Sequence, residues 1–558
     1  MRAAIEPHCR ARLAPAGTAG RDPGTAQVGY YRRVVLSRRD FLWQTGAGLL
    51  LPLSVHAQGT GSTRFRHGVA SGDPLADRVI LWTRVTPPTV LVAAAPPVDV
   101  RWTVATDPAL ARVVASGSVR TSADRDFTVK VDAAGLEPGT TYYYAFTAAG
   151  ERSVVGRTRT LPPAGATRVR LALAACSNYP AGFFHAYGRI AARDDLDAVV
   201  HLGDYIYEYE NGYFGDGTEL GRIPQPNQEI VSLADYRLRY SVYRTDPDLQ
   251  EAHRQHPFIV VWDDHELADN ASREGAVNHQ PDTEGTWAAR KAAAYRAYLE
   301  WLPIREQAGP DIRLYRSFRF GTLADLVMLD TRALRDLQVS PNDLAALERS
   351  SRSMLGSAQE RWLHEQLRAS ARADTAWRLL GQQVIFSRLS PPGRAVGTSD
   401  PWDGYPATRD RILDLLETER IRDVAILSGD IHSAWGNDIP RNPWSGYAPR
   451  NGAGSLAVEF VTPAVSSSPL FWDGRAEERA AALMQSVPSV RYMDGGSNGY
   501  TVVDITADRL QADWYFVGNV WARTATERFG GGMVCERGTS HLERASAPAA
   551  PMDRRPPG

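Results

Sequence analysis

Two regimes of hydrophobic patterning follow one another along the chain. From Phe65 to about Pro163, short runs alternate apolar and polar residues with a period of two: RVILWTRV, VDVRWTVA, RVVASGSVR, FTVKVD, TYYYAFTA and RSVVGRTRT, divided by turn residues. Alternation at that period, with turns at regular intervals, predicts a small antiparallel β-sandwich. After Pro162-Pro163-Ala164-Gly165 the pattern changes. Continuous apolar runs, read as buried strands, now alternate with the helical stretches FFHAYGRIAAR, TWAARKAAAYRAYLEWL, SAQERWLHEQLRASA and RDRILDLLET. That order predicts a layered α/β domain with helices covering the sheet. LVMLDTR and SLAVEFVTPAVSS add strands, and NGYTVVDITADRLQADWYFV predicts two strands around a turn at Ala507-Asp508. Between Glu208 and Ile230 a stretch rich in Gly, Pro and Tyr reads as a long insertion that shapes a pocket.

The ends read differently. From Ser37 the sequence SRRDFLWQTGAGLLLPLSVHAQ carries paired arginines, a modest apolar stretch and a small-residue cleavage site at Val55-His56-Ala57. It resembles a twin-arginine export signal, and its apolar part is well short of the ~20 residues a membrane span requires. The expected organisation is a leader at 1–57, a sandwich at 58–163, an α/β domain at 164–545 and a disordered Pro/Ala/Arg-rich tail at 546–558. Export implies a periplasmic or secreted protein whose carrier is the twin-arginine translocation machinery.

Composition narrows the classes. At 558 residues the chain is too long for one ordinary core, and 43% hydrophobic with 23% charged residues is typical of a globular protein. A formal net charge of -1 gives no reason to expect nucleic acid or an anionic membrane as partner. Only Cys9, Cys176 and Cys535 are present, so no disulfide framework holds the fold.

Chemistry concentrates at four strand ends. LALAACSN ends on Cys176 and Asn178, LDAVVHLGDYIYEY on Asp204 and Tyr207, FIVVWDDHE on Asp264 and His265, and VAILSGDIH on Asp430 and His432. Open α/β sheets hold their sites at that edge. A soft thiolate with a phenolate suits ferric iron better than magnesium or zinc alone. Asp264 and Asp430 are hard ligands for calcium, magnesium or manganese, with Asp204 as a bridge between two ions. His265 is then left as general acid or hydrogen-bond donor to a leaving group. Each residue also has a plainer reading. Cys176 fits an ordinary buried thiol, and Asn178 either touches a phosphate oxygen or caps the next helix. By strand alternation Asp263 faces away as a structural acceptor; Glu266 is ambiguous. Asp330 and Arg332 read as an internal ion pair, HGVASGDP as a turn, and His185, His201, His253 and His256 as structural or solvated. Tyr205 and Tyr209 flank the site, and Cys535 is free or structural.

Together, ACSN, GDYIYEY, WDDHE and SGDIH resemble the motifs of the PhoD-type alkaline phosphatases, a branch of the calcineurin-like metallophosphoesterases. GLEPGTTYYYAF likewise resembles the corner of a fibronectin type III domain. The resemblance implies an α/β fold: a four-layer α/β/β/α metallophosphatase domain preceded by a fibronectin III-like β-sandwich. It implies Fe3+ and Ca2+, with Asp204 bridging, Cys176 and Tyr207 on iron, and His265 keeping the catalytic place. Asp264 stands where the superfamily has Asn, and Asp430 replaces the first His of its closing motif while His432 remains. The superfamily's opening Asp-x-His is missing, and Cys176 takes that role. The activity implied is hydrolysis of small phosphate monoesters, and of diesters. The alternatives are a phosphodiesterase or phospholipase D-like enzyme on lipid head groups or wall polymers, and a non-catalytic cell-envelope binding module.

Overall fold

A computed structural model describes residues 63–87, 95–307, 313–523 and 526–552, so the expected leader lies outside the described residues. Two large sheets face each other. In the first, the strands Arg168–Ala174, Ala198–His201 and Pro257–Val260 run parallel. Beyond Arg168–Ala174 it continues through the antiparallel pair Gly499–Thr506 and Arg509–Val517, the two strands expected around Ala507-Asp508. The second sheet has Ala324–Met328, Trp377–Gly381, Val424–Ser428 and Ser455–Val461 in parallel, with antiparallel strands at both margins.

Side-chain alternation along these strands builds the layers. Leu326, Leu379 and Leu427 point into a core shared with Leu171 and Leu173 of the first sheet. Val327, Leu380 and Ile426 point the other way, into a core with Leu363, Leu367, Ile412 and Leu416. The latter come from the helices Gly356–Arg372 and Pro406–Thr418. In Gly356–Arg372 the buried positions Gln359, Leu363, Leu367 and Ser370 fall on one face at helical spacing. Helices His185–Ala191 and Trp287–Trp301 pack into the core of the first sheet. The result is the expected α/β/β/α stack.

The sandwich is present and is joined to this stack by a continuous sheet. Val69–Gly72 lies parallel to Pro257–Val260, and Arg78–Arg84 and Thr128–Ala134 extend the first sheet to ten strands. Val98–Ala105, Val113–Thr121 and Thr141–Ala148 form the opposing sheet. Val79, Leu81 and Val129 meet Val100, Val104 and Tyr144 between them. The segment from 546 to 552 differs from the free tail expected there. Ala549 N–H donates to Asp513 at 2.8 Å, Gln511 reaches Ala547 O at 2.9 Å, and Arg170 and Arg168 bind Ala550 O. Backbone polar groups thus hold a stretch with little apolar side-chain area. Among the described residues no helix is long and apolar enough to cross a membrane.

Candidate metal centre

Strands Arg168–Ala174, Ala198–His201 and Pro257–Val260 of one sheet and Val424–Ser428 of the other deliver four loops to one crevice. Four of the six candidate ligands sit in left-handed backbone: Cys176, Asp204, Asp430 and His432 have φ of 60°, 56°, 63° and 52°. Non-glycine residues enter that region at a cost of order 1–3 kcal/mol when the surroundings force it. The forcing contacts are local. Cys176 N–H donates to Gly203 O at 3.1 Å and Ser177 N–H to Asp204 O at 2.9 Å. The buried Glu266 carboxylate accepts from the N–H groups of Asp204, Tyr205 and Asp263 at 3.0, 2.7 and 2.8 Å. Gly203, at φ 111°, presses on the neighbouring loop so closely that a Cβ would meet Asp263 N at 2.6 Å.

These loops bring the side chains together. Ligand atoms of Cys176, Asp204 and His432 lie within 4.8 Å of one another; so do those of Asp204, Asp264 and His265, and those of Asp263, Asp264 and Asp430. Asp204 is common to the first two groups. The Tyr207 hydroxyl joins the first: it donates to Asp204 Oδ2 at 2.8 Å, accepts from Ser467 Oγ at 2.8 Å and lies 3.3 Å from His432 Nε2.

The electrostatics fit a cation. Asp204 Oδ1, Asp264 Oδ1 and Asp263 Oδ2 are buried with no hydrogen-bond partner, Asp264 Oδ1 having only the Arg332 guanidinium at 3.5 Å, and such oxygens are costly unless something positive meets them. Burial, reinforced by neighbouring carboxylates, pushes the Cys176 thiol and the Asp204 carboxyl well up from their ordinary ranges. Burial likewise lifts Asp430 to about 7 against the pull of Arg332. A bound cation inverts these preferences and holds the groups ionised.

His265 has a partner of its own. Its Nδ1 is 2.7 Å from Glu208 Oε2, and its ring stacks on Tyr207 with centroids 4.2 Å apart. Burial lowers the imidazole, but Glu208, Asp204 and Asp264 outweigh it and raise His265 well above its ordinary value. Those three carboxylates favour the charged, proton-donating form of the ring.

Several plainer readings need correction. Arg332 does not pair with Asp330, whose carboxylate instead accepts from the backbone N–H of Arg332 and Ala333. The Arg332 guanidinium enters the site, donating to Asp263, to Asp430 at 2.6 Å and to Asp400 at 2.6 Å. Asp263 does not face away from Asp264, because strand pairing ends at Val260 and alternation no longer applies three residues later. Asn178 caps nothing; its Nδ2 donates to Phe214 O while its Oδ1 is buried without a partner. Asp400 had no sequence signal, since it lies in an irregular Gly/Pro/Ser loop. Away from the site, His201 pairs with Tyr187, His253 with Tyr205, and His256 with Ile190 O, so these histidines are structural. Cys176 and Cys535 are both free and buried.

The model of the PhoD-like phosphatase family matches residues 171–514, and that of the PhoD-like phosphatase N-terminal domain matches residues 52–162. Alkaline phosphatase D of Bacillus subtilis (strain 168) is 34% identical over 514 residues, covering 87% of this chain and 85% of the relative. A solved structure of PhoD superposes with a TM-score of 0.79 at 33% identity, covering 88% of this chain and 94% of that one. With both regions matched and the likeness running through nearly all of each chain, this protein belongs to the PhoD-like phosphatase family.

Proposed function

We propose that this chain is an exported phosphoric ester hydrolase acting on small phosphate monoesters, and on diesters, at a centre of two cations. The observation that carries the reading is the meeting of a thiol, a phenol, an imidazole and a carboxylate from Cys176, Tyr207, His432 and Asp204 at one point, beside buried carboxylate oxygens that have no hydrogen-bond partner. In this reading Cys176, Asp204, Tyr207 and His432 hold Fe3+, which favours thiolate and phenolate donors. Asp204, Asp264 and Asp430 hold Ca2+. When bound, such a pair holds the phosphate oxygens, acidifies an attacking water and offsets charge on phosphorus.

The chain's own groups supply the rest. Glu208 fixes the His265 ring through Nδ1, which leaves Nε2 to donate its proton to the departing oxygen. Arg332 offsets the charge of Asp263, Asp400 and Asp430 and holds them apart from one another. Tyr207 is kept in place by Ser467 and by stacking on His265. The relative's name, alkaline phosphatase D, adds alkaline operation to the proposal. The paired arginines at Arg38 and Arg39 add twin-arginine export.

The test is a visible absorption spectrum of the protein isolated from its export route, with metal analysis and ester turnover on the same sample. A charge-transfer colour with iron and calcium present supports the assignment. A colourless, active protein rich in zinc or manganese removes Cys176 and Tyr207 from the ligand set. A metal-replete protein inert toward both monoesters and diesters overturns the hydrolase reading itself.

A further inference from the structure

The insertion Glu208 to Ile230 brings a row of aromatic rings to the His265 side of the centre. Phe214 lies with its ring centroid 6.2 Å from His265 and 6.1 Å from His432. Tyr209 meets His265 edge-on at 5.3 Å, and Tyr213 stacks on Tyr209 at 4.5 Å with 26° between planes. Tyr213 is 53% exposed. The row therefore begins against the histidine and ends in solvent.

This wall is held rigidly. The fully buried Arg239, on the helix Leu233–Tyr243, donates to the carbonyls of Tyr207, Tyr209, Gln225, Pro226 and Gln228. One guanidinium thus ties both ends of the insertion to the domain. Gly212 N–H closes a tight turn on Gly215 O at 2.9 Å. Asn178 Nδ2 binds Phe214 O, tying the wall to the loop that carries Cys176. Aromatic groups fixed in advance of binding lose little entropy when a ligand stacks on them.

We propose that Tyr213, backed by the buried ring of Tyr209, forms the leaving-group subsite and selects esters of alcohols that carry a planar ring. The inference rests on the phosphoesterase reading. With phosphorus held among Asp204, Asp264 and His432, the leaving oxygen lies on the His265 side, and the organic group attached to it extends toward Tyr213. Because Tyr213 stacks on the buried Tyr209, the pair offers the single exposed ring of Tyr213 rather than an enclosing cage. A flat face suits offset stacking of a planar ring; recognition of a quaternary ammonium draws on aromatic groups arranged as a cage.

The test uses calorimetric binding of phenylphosphonate and methylphosphonate to the metal-loaded full chain, two probes that share the phosphonate and differ in the ring. The wild type binds phenylphosphonate about three- to tenfold more tightly, as expected for one aromatic pair. Tyr213→Ala removes that preference, and Tyr213→Phe, which keeps the ring, retains it. Equal affinity for the two probes in the wild type overturns the subsite, as does a preference that survives Tyr213→Ala. Turnover plays no part in the comparison. A protein that shows the Tyr213-dependent preference yet hydrolyses no ester keeps Tyr213 as a ring-binding residue but overturns both the hydrolase reading and the leaving-group role.

Discussion

At the scale of single residues, His265 and Glu208 act as one unit. The carboxylate fixes which ring nitrogen is engaged and favours the protonated ring. His265→Ala is expected to lower kcat by about 10²–10⁴-fold, the usual contribution of a positioned general acid, while bound-metal content stays at the wild-type level. Glu208→Gln should cost about 10–100-fold, in the range of a partner that orients the working group. Metal analysis beside steady-state kinetics checks both, and loss of metal in His265→Ala would make His265 a ligand instead. Arg332 gives a different signature. It is fully buried, and removing one partner of a buried charge set leaves the others uncompensated at about 3–5 kcal/mol. Arg332→Met should therefore lower the melting temperature of metal-free protein far more than that of metal-loaded protein, where cations still offset the carboxylates. Equal losses in calorimetric scans would contradict this. Asp204, Tyr207 and His432 were legible in the sequence because each follows an apolar run at a fixed offset. Arg332 follows such a run too, but a nearby acid in sequence, Asp330, offered a cheaper explanation than three acids distant in the chain.

At the scale of elements, the decisive feature is how strand ends are locked to each other. Glu266 accepts three backbone N–H groups belonging to two loops, and no local pattern announces that, since its partners at Asp204 and Tyr205 are about sixty residues away. Glu266→Gln preserves the shape but puts an NH2 where an acceptor stood. At least one buried N–H then loses its partner, a cost of about 1–3 kcal/mol. The strained φ at Asp204 depends on this clamp, so the variant should lose metal affinity as well as thermal stability. Unchanged metal affinity would show that Glu266 only stabilises the fold. Strand and helix identities were legible because period-two and helical spacing survive in the sequence. The insertion was legible as a pocket-former from its Gly, Pro and Tyr content, but its rigidity was not. That rigidity comes from Arg239, whose guanidinium is buried although its neighbours on the helix include the charged Asp235 and Arg237.

At the scale of the whole molecule, the sequence break at Pro163 marks a change of pattern while the first sheet runs straight across it. Within HGVASGDP, read as a turn, the four residues Val69–Gly72 form the strand that seats the sandwich against Pro257–Val260. Asp73, which follows, accepts two bonds from Arg316 at 2.9 and 2.6 Å and one from Arg305 N–H at 2.7 Å. Trp82 is fully buried, donates to Glu300 O at 2.7 Å and lies under the Arg244 guanidinium at 4.5 Å. A chain beginning at residue 164 would bare the edge of Pro257–Val260 and leave the buried Arg316 without its carboxylate, about 3–5 kcal/mol. Losing Trp82 from its packing adds about 3–5 kcal/mol more. A native domain has only about 5–15 kcal/mol to lose, so the fragment is expected to fail to fold, seen as no cooperative transition in calorimetry and aggregation on size exclusion. Asp73→Ala isolates one of these terms in the full chain and should destabilise it by about 3–5 kcal/mol without altering KM for a small ester, because Asp73 follows a strand that carries no candidate ligand. A soluble, cooperatively folding 164–558 fragment, or an Asp73→Ala chain as stable as the wild type, would mean that the two regions only touch and that the shared sheet does not bind them into one folding unit.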